Sequence, residues 1–444
     1  MKKLTTVLLL FSCLLYTKVN AQTKNVPVKY IDTVFPRILK KLTHYQDTTN
    51  KIYDDHKNYL ISRYSFRSLI QKDYSKITVG ENSFSKVGRF ATLQIDEDGS
   101  KFYFTPFVFV VKKEPLDGPF KYIHAIDISG EMSKKIFDFK NKKSLKAGYS
   151  FTWIVNEGYK PKPGARNEVF HKAIVDEAFG ETKEKYENAK TDFSDYLDIS
   201  DEIEEKDSAK VHKGAKKRFF NTLEELELKY YKEKWTAKRI SWFKLNVTPF
   251  SWDNFKYLDP QIATSLSKPI DKSVYTANIK LSYNQLHTVT TAKNLQFYWS
   301  AFAALSRKHT LSEISSPSRW YNLKKLTDST SILAEDESVF SMTSTDFKSR
   351  VRPDFGAQFI VLFDVFNETN IGIDLATSFN GLVTSSPSSY VNSTSLGLII
   401  PFKDKEGNNS INFELFYERK SYLNTSLKNA GFWGIKFGLP FTKP

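Results

Sequence analysis

The sequence predicts an all-β fold, a transmembrane antiparallel β-barrel of about 12 strands with an N-terminal helical segment and a charged helical insertion. Apolar residues alternate with small or polar residues over segments of about 10 residues, which is typical of barrel strands with one face toward lipid. Beyond the N-terminal segment, no continuous apolar run is long enough for a transmembrane helix. Aromatic residues make up 15% of the chain, and barrels place such rings on the lipid-facing surface and at both interfaces.

The alternation is clearest near the C-terminus. In Gly431–Phe441 every odd position from Trp433 onward is apolar, whereas Lys436 lies between glycines on the even positions. Ile411–Arg419 repeats the pattern. Lys101–Val111 is apolar on both faces, which leaves its orientation open. The predicted strands are Phe90–Ile95, Lys101–Val111, Tyr122–Ile128, Ala147–Val155, Ile240–Phe250, Tyr275–Leu286, Leu295–Ser306, Phe355–Phe366, Ile371–Phe379, Thr394–Phe402, Ile411–Arg419 and Gly431–Phe441.

Connections of alternating length support this topology. Short connections follow Leu286, Phe366 and Phe402, and long ones cover 251–274 and 307–354. In outer-membrane barrels the short turns face the periplasm and the longer loops face outward. By this alternation the charged insertion, residues 167–234, falls on the periplasmic side. Either the insertion is a periplasmic subdomain, or a strand near it is missing from the predicted set or wrongly included in it, so the sequence does not decide which side it faces.

The insertion itself is predicted to be helical. It is rich in Glu and Lys, and Leu223, Leu226 and Tyr230 recur at helical spacing. Thr222 and Glu225 predict a capping box at a helix start. A charged helical segment of this kind is either a solvated loop or a surface that binds a protein partner.

The N-terminus predicts export. Residues 1–21 have the pattern of a signal peptide, with two lysines, an apolar stretch from Leu4 to Tyr16 and a small-residue cleavage site at Ala21. The only cysteine, Cys13, lies within this segment, so the mature chain is expected to form no disulfide. Residues 22–85 are predicted to be a mostly helical arm, cap or plug, with Ile38, Leu39 and Leu42 at helical spacing, and residues 86–441 to be the barrel.

The combined pattern resembles that of a bacterial outer-membrane β-barrel protein. The Ala-Gln context at the cleavage site and the lysine-rich, aromatic-rich composition resemble those of proteins from the Bacteroidota. This resemblance implies a multi-pass protein of the cell outer membrane that contacts outer-membrane lipid and lipopolysaccharide and is inserted by the barrel assembly machinery. The aromatic residue that often ends such barrels is here Phe441, three residues before the C-terminus.

Catalytic and ligand-binding motifs were sought in the sequence. The seven histidines are scattered, and no His-Glu-x-x-His metal motif is present. Neither a Gly-x-Ser-x-Gly elbow nor a phosphate-binding glycine loop occurs, and the motifs of barrel lipases and barrel proteases are absent. We therefore expect no enzymatic activity, no cofactor and no metal site. The formal charge of +15 comes without a nucleic-acid recognition motif, so no nucleic-acid partner is expected.

The remaining candidate site is the lumen. If the apolar face of each strand contacts lipid, the predicted lumen-lining charged residues are Lys244, Lys280, Asp364, Asp374, Glu414, Glu418 and Lys436. A barrel of about 12 strands is narrower than a porin of 16 or more. Two functions are therefore open: a porin-like pore or transporter for small or hydrophobic solutes, and a closed-barrel structural or docking anchor whose helical insertion binds a partner. Lys436 and Glu414 are predicted to face each other, either as a solvated pair worth under about 1 kcal/mol or as groups that line the passage.

Overall fold

The computed structural model describes twenty ranges of the chain. These are residues 28–55, 61–62, 65, 89–96, 99–110, 122–132, 142–162, 171–189, 199, 208–231, 234–259, 269–289, 295–310, 318–325, 332–341, 347–366, 369–383, 389–403, 409–424 and 429–441. The predicted signal peptide and Cys13 lie outside the described residues.

Fourteen strands are present in the described residues. They are β1 Arg89–Asp96, β2 Gly99–Val110, β3 Tyr122–Met132, β4 Lys142–Pro161, β5 Trp235–Leu258, β6 Ile270–Val289, β7 Leu295–His309, β8 Ser318–Lys325, β9 Ile332–Ser341, β10 Ser349–Phe366, β11 Thr369–Gly381, β12 Tyr390–Lys403, β13 Asn409–Leu423 and β14 Ala430–Phe441.

Twelve of these strands form a closed antiparallel barrel. Each strand from β1 to β7 pairs with the next, β7 pairs with β10, and pairing continues to β14, which pairs with β1. Strands β8 and β9 form a hairpin within the connection between β7 and β10, and β9 adds two parallel pairs to the end of β5. Closure satisfies the backbone hydrogen bonds of every barrel strand and leaves no open edge. The predicted fold is confirmed, and each of the twelve predicted segments overlaps one barrel strand.

The structure corrects the predicted bounds of one long connection and resolves the orientation of one ambiguous strand. The connection predicted over 251–274 is shorter, because β5 continues to Leu258 and β6 begins at Ile270. Polar and apolar side chains are mixed on both faces there, with Trp252 and Asn254 on one face and Asp253 and Phe255 on the other, so no alternation marks the strand, although backbone pairing continues. The ambiguous segment Lys101–Val111 is explained by a register shift between Phe104 and Phe107, which changes the alternation of inward and outward residues.

The barrel exterior is an apolar surface. In the described residues, every exposed large apolar side chain except Tyr230 lies on a barrel strand. On β6 the outward side chains run from Tyr275, 61% exposed, past Leu281, 51% exposed, to Tyr283. For a strand tilted by about 40°, these nine residues span about 20 Å along the barrel axis. Such a band is much larger than the apolar patches of soluble monomers, a few hundred Å², and suits contact with lipid.

The two rims of the barrel differ in their connections. The chain enters at Arg89 and ends at Phe441 on one rim, which we call the terminal rim because these two residues are paired there. β4 ends and β5 begins at this rim, so the insertion connects there, as do the short β10–β11 and β12–β13 connections. The opposite rim, the loop rim, carries the β5–β6 connection and the β7–β10 connection with its hairpin.

Helices form a second compact unit. They are α1 Val28–Asp55, α2 His171–Asn188 and α3 Ser208–Tyr231. Tyr53 of α1 stacks on His171 of α2 with ring centroids 3.9 Å apart, and Tyr45 contacts the rings of Phe219 and Phe220 in α3. The N-terminal segment and the insertion, separated by four strands in sequence, therefore share one core.

Sequence periodicity predicted part of this core. Leu223 and Leu226 are buried, whereas Tyr230 is exposed and the next residue, Tyr231, is buried. The predicted capping box at Thr222 was wrong, because α3 begins fourteen residues earlier at Ser208 and Thr222 lies inside it. In the described part of the chain, no helix is both long and apolar enough to cross a membrane.

Candidate functional site: the barrel interior

A buried ion pair lies in the barrel interior. Glu414 on β13 and Lys436 on β14 are directly opposite in the register. Nζ of Lys436 lies 2.7 Å from Oε1 of Glu414 and 4.4 Å from the ring centroid of Phe416. The two charged side chains are 0% and 1% exposed. Glu414 and Lys436 face each other as predicted. The alternative of a solvated pair was wrong, because both groups are excluded from water.

The backbone of β12 makes room for this pair. The carboxylate of Glu414 lies over Gly397, where an added Cβ would overlap it. A larger residue at this point would force the buried Glu414 carboxylate to shift, so glycine suits the close approach of this side chain from the neighbouring strand.

Further polar residues extend the pair into a layer across β10, β11, β13, β14 and β1. Nε2 of Gln358 donates to both carboxylate oxygens of Asp374, at 2.9 and 2.8 Å. Gln94 on β1 is opposite Lys436. We call Gln94, Gln358, Asp374, Glu414 and Lys436 the buried belt, since all five are buried. A buried carboxylate is tolerated only when paired or hydrogen-bonded, and these contacts meet that requirement.

Toward the terminal rim the buried inward side chains are both apolar and polar, and the polar ones include Thr92, Lys238, Thr288, Gln296 and Asn412. Trp242, Leu286, Tyr298 and Ile360 are almost completely buried. Asn284 lies among them and is satisfied by the wall, since it donates to the carbonyl of Trp242 at 3.3 Å and accepts from the Tyr298 hydroxyl at 3.2 Å.

On the loop-rim side of the belt the barrel encloses a cavity of about 480 Å³. Its lining comes from β2 to β7 and β10 to β12, so the cavity is the lumen itself and not a groove in one wall. Most lining residues are polar or charged. Four consecutive strands, β4 to β7, each contribute one lysine, which are Lys146, Lys244, Lys280 and Lys308. We call these four residues the lysine arc.

The acidic lining residues are held by donors of the wall. Asp127 on β3 accepts from Oγ1 of Thr105 at 2.9 Å and from Nδ2 of Asn246 at 3.1 Å. Asp127 therefore has two partners besides its electrostatic interaction with Lys244.

Asp354 on β10 has a similar set of partners at the other end of the lysine arc. It accepts from Oγ of Ser306 at 2.6 Å, from Nζ of Lys308 at 2.7 Å and from the backbone N–H of Gly381 at 3.0 Å. Asp253, the third acidic lining residue, lies 3.5 Å from the ring of His309.

The structure divides the predicted lumen residues between two places. Lys244 and Lys280 line the cavity, whereas Asp374, Glu414 and Lys436 belong to the buried belt. Glu418 is half-buried on β13, on the same face as Glu414. Asp364 lies on β10 opposite Asn370, and its side chain is outside the described residues.

Sequence reasoning missed the other charged cavity residues. The alternation on β4 places Lys146 on the inward face. The charged lining residues that were not singled out are Asp127, Lys146, Asp253, Arg307, Lys308 and Asp354. The register shift on β2 and the polar strand ends at the loop rim interrupt the alternation, so the sequence pattern does not mark the other residues as inward-facing. Within the described ranges, no group of three or more His, Cys, Asp or Glu could hold a metal ion.

Known proteins were compared with this chain. No protein-family model matches the sequence, and no curated protein matches it. The β-domain of the Bordetella autotransporter BrkA is similar at 8% identity and a TM-score of 0.32, covering 80% of this chain and 99% of that one. The translocator domain of the autotransporter NalP from Neisseria meningitidis is similar at 9% identity and a TM-score of 0.25, covering 81% and 90%. OmpT, an outer membrane protein of Vibrio cholerae, is similar at 8% identity and a TM-score of 0.24, covering 79% and 97%.

Proposed function

We propose that this chain is an integral outer-membrane β-barrel protein whose lumen is closed to free diffusion. The observation that carries the proposal is the combination of an apolar exterior band with an interior whose belt residues are buried. Lipid is the environment that matches an apolar outward face on a closed barrel. The predicted signal peptide supports export from the cytoplasm.

A closed lumen favours the anchor over an open pore. The barrel then holds the helical unit at the membrane, and the helical unit, with its own core of α1, α2 and α3, binds a protein partner. The terminal rim, where the insertion connects, corresponds to the periplasmic side in this proposal, because the short β10–β11 and β12–β13 connections lie there and the short turns of bacterial barrels face the periplasm.

The second candidate is a transporter that opens. The cavity on the loop-rim side favours it, because a polar space of about 480 Å³ within the lumen could receive a solute. Passage would require the belt to separate, and with it the ion pair of Glu414 and Lys436. Because the cavity lining is polar, it suits small polar solutes better than the hydrophobic solutes that the sequence analysis also allowed.

Membrane fractionation tests the location. The protein should separate with the outer membrane, resist extraction by alkaline carbonate and migrate faster in SDS gels before boiling than after it. Recovery of the mature protein from the periplasmic or culture fluid would contradict the proposal.

A protein–protein crosslinker placed at the exposed Glu184 of α2 tests the anchor function. Capture of a defined periplasmic protein supports this function. If a crosslinker at a lipid-facing position such as Leu398 captures the same protein equally well, the anchor function is contradicted.

A further inference from the structure

We propose that the cavity on the loop-rim side of the barrel is a binding site for a small, hydroxyl-rich anion, held by the lysine arc. The inference concerns the barrel interior and does not depend on the membrane in which the barrel resides. It therefore stands or falls separately from the proposed location and from the helical unit.

The distribution of charge supports an anion. The lysines come from four neighbouring strands and form one wall, whereas Asp127 and Asp354 lie on β3 and β10 at the two ends of that wall. Asp354 is the ion-pair partner of Lys308. Asp127 accepts from Thr105 and Asn246 and interacts electrostatically with Lys244. With Arg307 and Asp253 included, the cavity lining carries five cationic and three acidic side chains. A negative group in the middle of the arc would thus meet mainly cationic side chains in a site with low-dielectric walls, where charge attraction is stronger than in water.

Lys280 is the central residue of this wall. Its Nζ lies 4.2 Å from the ring centroid of Phe302, which fixes the side chain on the inner surface of the barrel. In the β5–β6 register Lys280 is opposite Asn246, and Lys244 is opposite Ser282. The two lysines therefore lie on adjacent strands two residues apart along the barrel, close enough for both to contact one phosphate or carboxylate group.

The neutral lining residues indicate hydroxyl groups on the ligand. Asn246, Thr248, Ser251, Thr276 and Asn278 all line the cavity and are half-buried or buried. Oγ of Ser251 and Oγ1 of Thr276 are hydrogen-bonded to each other across β5 and β6. Side chains that both donate and accept match the hydroxyl groups of a sugar acid or sugar phosphate. The cavity volume lies within the range for small-molecule sites, about 300 to 1,000 Å³.

Calorimetric titration of the full mature chain folded in detergent tests the proposal. The probes are glucose 6-phosphate, glucuronate and, as the uncharged counterpart, glucose. We expect both anions to bind at least about tenfold more tightly than glucose, because lysine ammonium groups form stronger hydrogen bonds with an anionic group than with a hydroxyl group. The difference should decrease at high salt because part of the attraction is screened.

Two variants place the site. Lys280→Gln should weaken binding of the anions about tenfold and leave glucose unaffected. Lys146→Gln, on the side of the arc nearer the loop rim, should weaken it as well and serves if the first variant folds poorly. Lys256→Gln is the matched control, because Lys256 lies on β5 outside the cavity lining. Equal affinity for anions and glucose, absence of binding by both anions, or an equal loss in the control variant would each overturn the proposal.

Discussion

Replacing Lys436 with Met removes the partner of a buried carboxylate. The 2.7 Å contact between Lys436 and Glu414 is excluded from water on both sides, and Lys436 also interacts electrostatically with Asp374. Breaking a buried pair by removing one partner costs about 3 to 5 kcal/mol, because the remaining charge stays desolvated. We therefore expect Lys436→Met to lower the free energy of unfolding by about 3 to 5 kcal/mol.

Removing both charges should reverse most of this loss. The double variant Glu414→Gln with Lys436→Met keeps similar volumes and leaves no unpaired charge at these positions, and such replacements are often neutral or stabilising. The two changes should therefore be strongly non-additive in a double-mutant cycle.

Urea titration in lipid vesicles, followed by tryptophan fluorescence, measures these free energies. Lys160→Met is the control, since Lys160 is exposed on β4 and should change stability by no more than about 0.5 kcal/mol. The reasoning is refuted if Lys436→Met costs no more than Lys160→Met. Strict additivity in the double variant would show that the two side chains do not interact.

Three further predictions concern the wall, the exterior and the helical unit. Gly397→Ala should cost about 1 to 3 kcal/mol in the same titration, because the new Cβ overlaps the buried carboxylate, whereas Gly158→Ala on β4, with open space around it, should cost little. Leu398→Arg on the lipid face should cost about 2 to 4 kcal/mol and the inward Ser395→Ala much less, and equal costs would mean that the two faces are misassigned. Leu42→Ala should destabilise the helical unit by about 2 to 5 kcal/mol and speed its proteolysis, because Leu42 is buried in that unit. The barrel should keep its heat-dependent gel migration. Loss of that migration would contradict the division into two separate units.

The barrel could be predicted from the sequence because a strand with one face toward lipid must be apolar at every second residue. On β12 and β14 one face must be apolar along its length, so residues such as Leu398 and Trp433 mark the outside without ambiguity. Prediction failed where that constraint ends. The end of β5 beyond Ser251 is paired but mixes polar and apolar side chains on both faces, and the hairpin of β8 and β9 lies in a connection that the alternation does not describe.

Burial of the interior charges could not be predicted from alternation alone. The alternation placed Lys436 and Glu414 on the inward face. Whether inward side chains are exposed to water depends on how the side chains of non-neighbouring strands fill the lumen. The space above Gly397 and the hydrogen bonds from Gln358 to Asp374 belong to this three-dimensional filling. The shared core of α1 and α3 was equally hidden, since Tyr45 and Phe219 are far apart in the sequence.

Single-channel recording in planar lipid bilayers tests the central claim that the barrel spans the membrane with a closed lumen. Protein whose folded state is established by faster migration in unboiled SDS gels would be inserted, and the current would be recorded over a range of voltages. We expect no long-lived conducting state, because all five side chains of the belt are buried. A stable open channel at low voltage in most insertions would contradict this account.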